Sequence, residues 1–369
     1  MNRSIWAPLS DGQLDRFGRW LVLAVAVVLA AVLPATAGAI VNGVPADRAA
    51  FPFYTVVGGG THCGGALIAP DRVLTAAHCV VTLEGARVVW VGPADERRTV
   101  THVAQHPEYV KYERGPGGGF GLYPADLMVL QLDRPVTDVA PLPIAAPADG
   151  LTAPGQVTTV IGRGVPFTGQ EPRDLIFRSA SMTLVPDARC GSVIGGELKQ
   201  SWSLCALDPR GITDPKGPKP FMSTCHGDSG GPLLAAKDGV TYTLGTVSGA
   251  EECGGTTGDV FGDAVVGRGF ALAPAPRWAP YAAARPVLRG RARAGGKLRC
   301  DVAWIDPPRS TIYELTVGRG LETVERSSSR ATFRVREQER GRPVSCRVIA
   351  FTGGGSFVTK RSKLVRIAR

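Results

Sequence analysis

Hydrophobic positions along this chain fall into three patterns. The first is an unbroken apolar run from Trp20 to Leu33, entered past Arg16 and Arg19 and left through Pro34-Ala35-Thr36-Ala37-Gly38-Ala39. The run is short of the roughly 20 apolar residues that a spanning helix needs. With small residues behind it offering Ala-x-Ala sites at Ala35/Ala37 and Ala37/Ala39, it predicts a secretory signal peptide over residues 1–39 rather than an uncleaved anchor. The second pattern is a series of short β-branched and aromatic runs punctuated by Gly and Pro. Pro52-Phe53-Tyr54-Thr55-Val56-Val57 and Asp126-Leu127-Met128-Val129-Leu130-Gln131-Leu132 are examples, and each predicts a strand. The third is alternation at a period of two. Leu298, Cys300, Val302 and Trp304 alternate with polar or small residues, and so do Val344, Cys346, Val348 and Ala350. Two alternating strands, each with a central cysteine, predict a small sandwich bridged by Cys300–Cys346. The reading is an all-β chain with a leader (1–39), a first domain (40–284) and a second (285–369).

Charge sharpens the second boundary. From Arg285 onward there are 20 Lys/Arg against 7 Asp/Glu, a net of +13, whereas residues 1–284 hold 22 and 25, a net of −3. The basic character of the chain therefore belongs to its tail. Eight cysteines in a chain bound for export predict four disulfides and an extracellular destination. A zinc site would compete for the same residues, but there is no Cys-x-x-Cys pair or close Cys/His cluster. The expectation is no metal, no cofactor and no membrane span after processing.

The chemistry centres on Cys225-His226-Gly227-Asp228-Ser229-Gly230-Gly231-Pro232. A serine flanked by glycines lets a substrate backbone come close. The run also satisfies G-x-S-x-G, the nucleophile elbow of α/β-hydrolases, whose histidine follows the serine. The five histidines here are at 62, 78, 102, 106 and 226, so any base for Ser229 lies upstream. His78 stands in Thr75-Ala76-Ala77-His78-Cys79, where a Cys63–Cys79 bridge would clamp it, and Asp126 stands at the mouth of an apolar strand. A carboxylate there is costly unless hydrogen-bonded.

Over residues 40–275 the chain closely resembles the chymotrypsin/trypsin family of serine proteases. The resemblance rests on Ile40-Val41-Asn42-Gly43, Thr75-Ala76-Ala77-His78-Cys79, His106-Pro107-Glu108-Tyr109, Asp126-Leu127-Met128-Val129-Leu130 and Gly227-Asp228-Ser229-Gly230-Gly231-Pro232, in the family's order of His, Asp, Ser. It implies two six-stranded antiparallel β-barrels with the site between them. It further implies a secreted endopeptidase that cleaves protein or peptide substrates through an acyl-enzyme. His78, Asp126 and Ser229 would be catalytic, and the backbone N–H groups of Gly227 and Ser229 would form the oxyanion hole. Asp228 would pair with the α-ammonium of Ile40 once the leader is removed, either directly after Ala39 or after Ala37 with a two-residue propeptide. Cys63–Cys79, Cys190–Cys205 and Cys225–Cys253 are the disulfides that the resemblance implies. A non-catalytic homologue that uses the fold for binding is the rival reading, and the intact set of His78, Asp126, Gly227, Asp228 and Ser229 argues against it.

Substrate preference is where the chain departs from the pattern. By resemblance Ser223 forms the floor of the specificity pocket, and Ser248-Gly249-Ala250 replaces the usual Ser-Trp-Gly along the substrate strand, with Ser248 and Ala250 as lining residues. Gly258-Asp259-Val260-Phe261 puts Asp259 where the family has glycine on the opposite wall. The pocket would then attract Arg or Lys besides large apolar side chains, unless the loop is shifted and Asp259 points to solvent. Long loops precede Asp126 (Gly115 to Gly121) and Ser229 (Asp208 to Pro220), and Ala273-Pro274-Ala275-Pro276 is too proline-rich for the closing helix of the family.

The tail resembles small immunoglobulin-like modules of secreted bacterial proteins, although Trp304 is close to Cys300 and no Tyr lies two residues before Cys346. It is either a basic, solvated stalk or a module adhering to an acidic surface such as wall polymer or anionic polysaccharide. Nucleic acid is not the expected partner, because the arginines are spread along strands with little aromatic interleaving.

Overall fold

The computed structural model describes residues 40–368 except 60–62, 84–86, 110–124, 166–175, 191–201, 251, 275–280, 307, 309, 319–322, 328–330, 353–354 and 360. The leader and the glycine-rich loop at Gly115 to Gly121 lie outside the described residues.

The short β-branched runs form strands, as their pattern predicts. β1 (Tyr54–Val57), β2 (Cys63–Ala69), β3 (Arg72–Thr75), β4 (Val88–Val91), β5 (Glu96–Gln105) and β6 (Met128–Leu132) close into one antiparallel barrel in the order β1-β2-β3-β6-β5-β4. Val57, Leu67, Val73, Val103, Met128 and Leu130 fill its interior. β7 (Val157–Gly162), β8 (Arg178–Val185), β9 (Ser203–Leu207), β10 (Pro232–Lys237), β11 (Val240–Ala250) and β12 (Asp259–Asp263) form a second barrel in the order β7-β8-β9-β12-β11-β10, closed by β10 pairing with β7. Ile40, Val160, Met182, Leu233, Leu244, Val247 and Phe261 pack inside it. Closure removes the free edges that would otherwise invite pairing with other chains. A two-residue strand at Val44–Pro45 adds to β8 from outside.

After β12 the helix Arg268–Ala271 makes a single turn. The closing segment is held instead by Arg72, whose guanidinium donates to the carbonyls of Ala273 (2.5 Å) and Pro274 (2.9 Å). The loop before Ser229 contains a short helix at Pro209–Thr213, capped by Asp208 and started by proline at its first position.

The tail holds two larger sheets and a two-stranded one. β13 (Tyr281–Ala282) pairs with β16 (Trp304–Asp306). β14 (Val287–Gly290), β15 (Lys297–Asp301) and β19 (Thr332–Arg334) make one sheet. β17 (Ser310–Val317), β18 (Thr323–Ser327), β20 (Pro343–Thr352), β21 (Gly355–Val358) and β22 (Val365–Arg366) make the other. Leu288, Leu298 and Phe333 from the first sheet share a core with Leu315, Val317, Val344 and Val348 from the second, and Cys300–Cys346 joins the two. The other three disulfides are Cys63–Cys79, Cys190–Cys205 and Cys225–Cys253. Trp304 and Val302 pack against both this core and that of the first barrel, into which Ala282 is fully buried.

Candidate active site

His78 lies in the tight turn Ala77–Leu83 that leaves β3, beside Cys79 and therefore tethered to the head of β2. Its backbone N–H donates to Asp126 Oδ1 at 2.9 Å, and its ring Nδ1 lies 2.7 Å from Asp126 Oδ2. Two contacts to two oxygens of one carboxylate fix the ring in plane and in tautomer. With the proton on Nδ1, Nε2 keeps a lone pair. Asp126 is fully buried, and the second barrel supplies what keeps it there. From β11, Ser248 Oγ donates to Asp126 Oδ2 at 2.6 Å, and Thr246 Oγ1 donates to the Asp126 carbonyl at 3.0 Å. The buried carboxylate is thus hydrogen-bonded on both oxygens, as its burial requires. Cys63, His78 and Cys79 bring ligand-type atoms within 4.8 Å, but both sulfurs are held in the disulfide and offer no thiolate to a metal.

Ser229 is delivered by its glycines. Gly64 N–H donates to the Ser229 carbonyl at 2.7 Å, and Gly230 N–H donates to Val247 at 2.7 Å. Gly230 has φ 79°, and a Cβ there would lie 2.2 Å from Thr75 Oγ1 and 2.5 Å from the Gly64 carbonyl. Only glycine permits so close an approach. Since Thr75 ends the strand that leads to His78, this docking brings the Ser229 loop to the histidine's segment. Gly227 has φ 94°. The His226 carbonyl accepts from Val165 N–H at 2.8 Å, and the planar peptide turns the Gly227 N–H the opposite way. Neither the Gly227 nor the Ser229 N–H has an acceptor among the described residues.

Asp228 points away from Ser229 into the second barrel and is fully buried. It accepts from Cys225 N–H (3.0 Å), from Gly164 N–H (2.8 Å) and from the Ile40 N–H. Burial without a cation lifts its carboxyl to about 7. A Cβ at Gly162 would lie 2.1 Å from Asp228 Oδ1, and one at Gly164 would lie 2.7 Å from Asp228 Cγ. Both positions are glycine because the carboxylate occupies the space.

Ser223 and Asp259 meet. Asp259, on β12 opposite Ala250 of β11, is 2% exposed and turned inward, not toward solvent. Its Oδ1 accepts from Ser223 Oγ at 2.9 Å and its Oδ2 from Thr224 N–H at 2.5 Å. Burial raises its carboxyl to about 6.

Several residues that build this site carry no signal of their own in the sequence. The hydroxyl of Ser248 bonds Asp126 although its motif suggested only a lining residue, and Thr75, Gly162 and Gly164 matter through contacts far along the chain. The glycine doublet Gly64-Gly65 is the one visible hint of a close approach.

The trypsin family model matches residues 40–263. Trypsin of Saccharopolyspora erythraea is 31% identical over 224 residues, covering 58% of this chain and 88% of that protein. Trypsin-1 of Astacus astacus is 30% identical over 235 residues, covering 58% of this chain and 90% of that protein. Kallikrein 1-related peptidase b26 of Mus musculus is 34% identical over 209 residues, covering 52% and 71%. The matched span contains both barrels, the His78–Asp126 pair and the Ser229 loop, and so this chain is a serine-type endopeptidase belonging to the trypsin family.

Proposed function

We propose that the chain is a secreted endopeptidase working through Ser229, His78 and Asp126. The observation that carries the reading is the His78–Asp126 geometry, with two contacts of 2.7 and 2.9 Å to a fully buried carboxylate. A serine hydroxyl is too weakly acidic to attack an amide unaided. His78 Nε2 takes the Ser229 proton as Oγ bonds the scissile carbonyl carbon, and the unpaired N–H groups of Gly227 and Ser229 receive the oxyanion. His78 then returns the proton to the departing amine, leaving an acyl-enzyme. Water repeats the cycle in reverse sense, its proton passing to His78 and its oxygen to the acyl carbon. Asp126 holds the tautomer and stabilises the imidazolium.

Activation follows from the burial of Asp228. A carboxylate buried with no cation is costly, and an Ile40 freed as an α-ammonium after leader removal would supply that charge where the Ile40 N–H already donates. Among the described residues no helix is long and apolar enough to cross a membrane, and secretion rests on the leader reading of residues 1–39. The two disulfide-joined sheets of the tail support its assignment as an immunoglobulin-like module, residues 285–369.

The test is Ser229→Ala in the full chain. It should abolish labelling by a fluorophosphonate probe and reduce peptide hydrolysis to the roughly 10³–10⁴-fold over water that enzymes lacking a triad member retain. Near-normal turnover by the variant would overturn the assignment.

A further inference from the structure

The tail carries an arginine-lined cavity that the peptidase chemistry does not use. Arg291, Arg293 and Arg340 stand around Ala294, Gly295, Gly296 and Ala368, lining a half-open cleft of about 460 Å³. That volume falls inside the roughly 300–1,000 Å³ of sites that hold small molecules or single sugar units. The side chains of Arg291 and Arg293 have no acidic partner among the described residues, and both are exposed. Arg340 is paired with Glu337.

The neighbouring sheet repeats the theme at a cost to its own stability. Cross-strand partners carry like charge twice on the solvent face, at Arg289 opposite Arg299 and at Lys297 opposite Arg334. Like charges directly opposite destabilise a sheet. Asp301 relieves the first pair, contacting Arg289 at 3.6 Å and Arg299 at 2.6 Å. Arg291 continues this face, since it follows β14 directly and its N–H donates to the Lys297 carbonyl at 3.0 Å. Such a concentration of cations on one face sets up a local positive field that draws in anions.

We propose that this cavity binds an oxyanion-bearing sugar unit of an anionic polysaccharide, a carboxylate, sulfate or phosphate ester being gripped by the guanidinium forks of Arg291 and Arg293. The planar fork matches these groups with two parallel N–H donors. Among the described residues the cavity lining contains no aromatic ring, which disfavours single-stranded nucleic acid, whose bases bind by stacking. The cationic sheet beside it would follow the rest of the chain electrostatically.

The experiment is binding of the full chain, its serine blocked by a fluorophosphonate, to polygalacturonate, to dextran sulfate and to a phosphodiester-linked glycan, with neutral dextran and single-stranded DNA as comparisons. It is read by calorimetry at about 0.15 M salt, where surface attraction is screened beyond about 8 Å. The expected result is binding to at least one anionic glycan and not to dextran, the preferred glycan distinguishing the three esters. Combined Arg291→Ala, Arg293→Ala and Arg340→Ala should weaken it at least tenfold. The same charge removed at Lys216, Lys219 and Lys363 should change it less than twofold. Arg293→Glu alone should weaken it comparably and provides the test if the triple variant fails to fold. Equal weakening by both triple variants, tighter binding of DNA, or no anionic glycan bound would each overturn the proposal.

Discussion

At the scale of single residues, Asp259 is the candidate for setting substrate preference. Its carboxylate is held by Ser223 Oγ and Thr224 N–H, so it is fixed in place rather than free to follow a substrate. Charge on it depends on pH in the mildly acid range. Burial raises the folded carboxyl to about 6, so the group is anionic above that value and neutral below it. The sign for substrate choice follows. Attraction for Arg or Lys is present at pH 8 and lost as pH falls through about 6, while attraction for Leu, Tyr or Phe is not tied to Asp259. Competition between basic and apolar peptides therefore isolates the effect from titration of the catalytic machinery, which acts on both. The ratio of their kcat/KM values should fall several-fold from pH 8 to pH 5, and Asp259→Gly should remove the preference at every pH. A ratio flat with pH would place the carboxylate outside the pocket's influence. Ser223 and Asp259 could each be named from the sequence through motif position. Their hydrogen bond could not, because it joins residues 36 apart, one on β12 and the other in the segment bridged to Val41 ahead of the Ser229 loop.

Elements carry the next level. The strands were legible because β-branched runs between Gly and Pro have few alternatives, and period-two alternation located both disulfide-bearing strands of the tail, although the run from Leu298 to Trp304 breaks after Asp301 and Trp304 opens a separate strand. What could not be read was how loops from separate strands interlock. Gly162, at the end of β7, is an ordinary glycine in the sequence, yet a methyl there would sit 2.1 Å from Asp228 Oδ1. Gly162→Ala must displace Asp228 and, with it, the Ser229 loop one residue on. The expected outcome is a loss of at least tenfold in kcat/KM with circular dichroism unchanged. Gly269→Ala is the matched control, because a Cβ there meets nothing within 4 Å, and it should be silent. Full activity in Gly162→Ala would show that the loop does not depend on where Asp228 lies.

The whole molecule is organised by one join. The change of charge near residue 285 is plain in the sequence, but charge says nothing about packing, and the structure sets Val302 and Trp304 against the cores of both the first barrel and the tail sandwich. Ala282, on the protease side of that boundary, is buried in the barrel core, and its strand pairs with Trp304–Asp306. Trp304→Ala should cost roughly 2–3 kcal/mol, less than the about 3–5 kcal/mol of a fully buried tryptophan because the ring is only half-buried. It should lower the thermal transition of barrel and tail together. A transition lowered in an isolated tail unit while peptidase inactivation stays unmoved would show that the two parts are energetically separate.

A shared tryptophan has a further consequence for an enzyme surrounded by copies of itself. Proteolysis reaches a folded chain through its transient local openings, and a connector that opens independently of the domains it joins is where a neighbour's active site would first gain a hold. Here the connecting strand Tyr281–Ala282 cannot leave its partner strand without also stripping Ala282 from the barrel core. Its opening is therefore coupled to lost packing in the barrel core, which makes this strand a poorer point of attack than a connector tied to neither side.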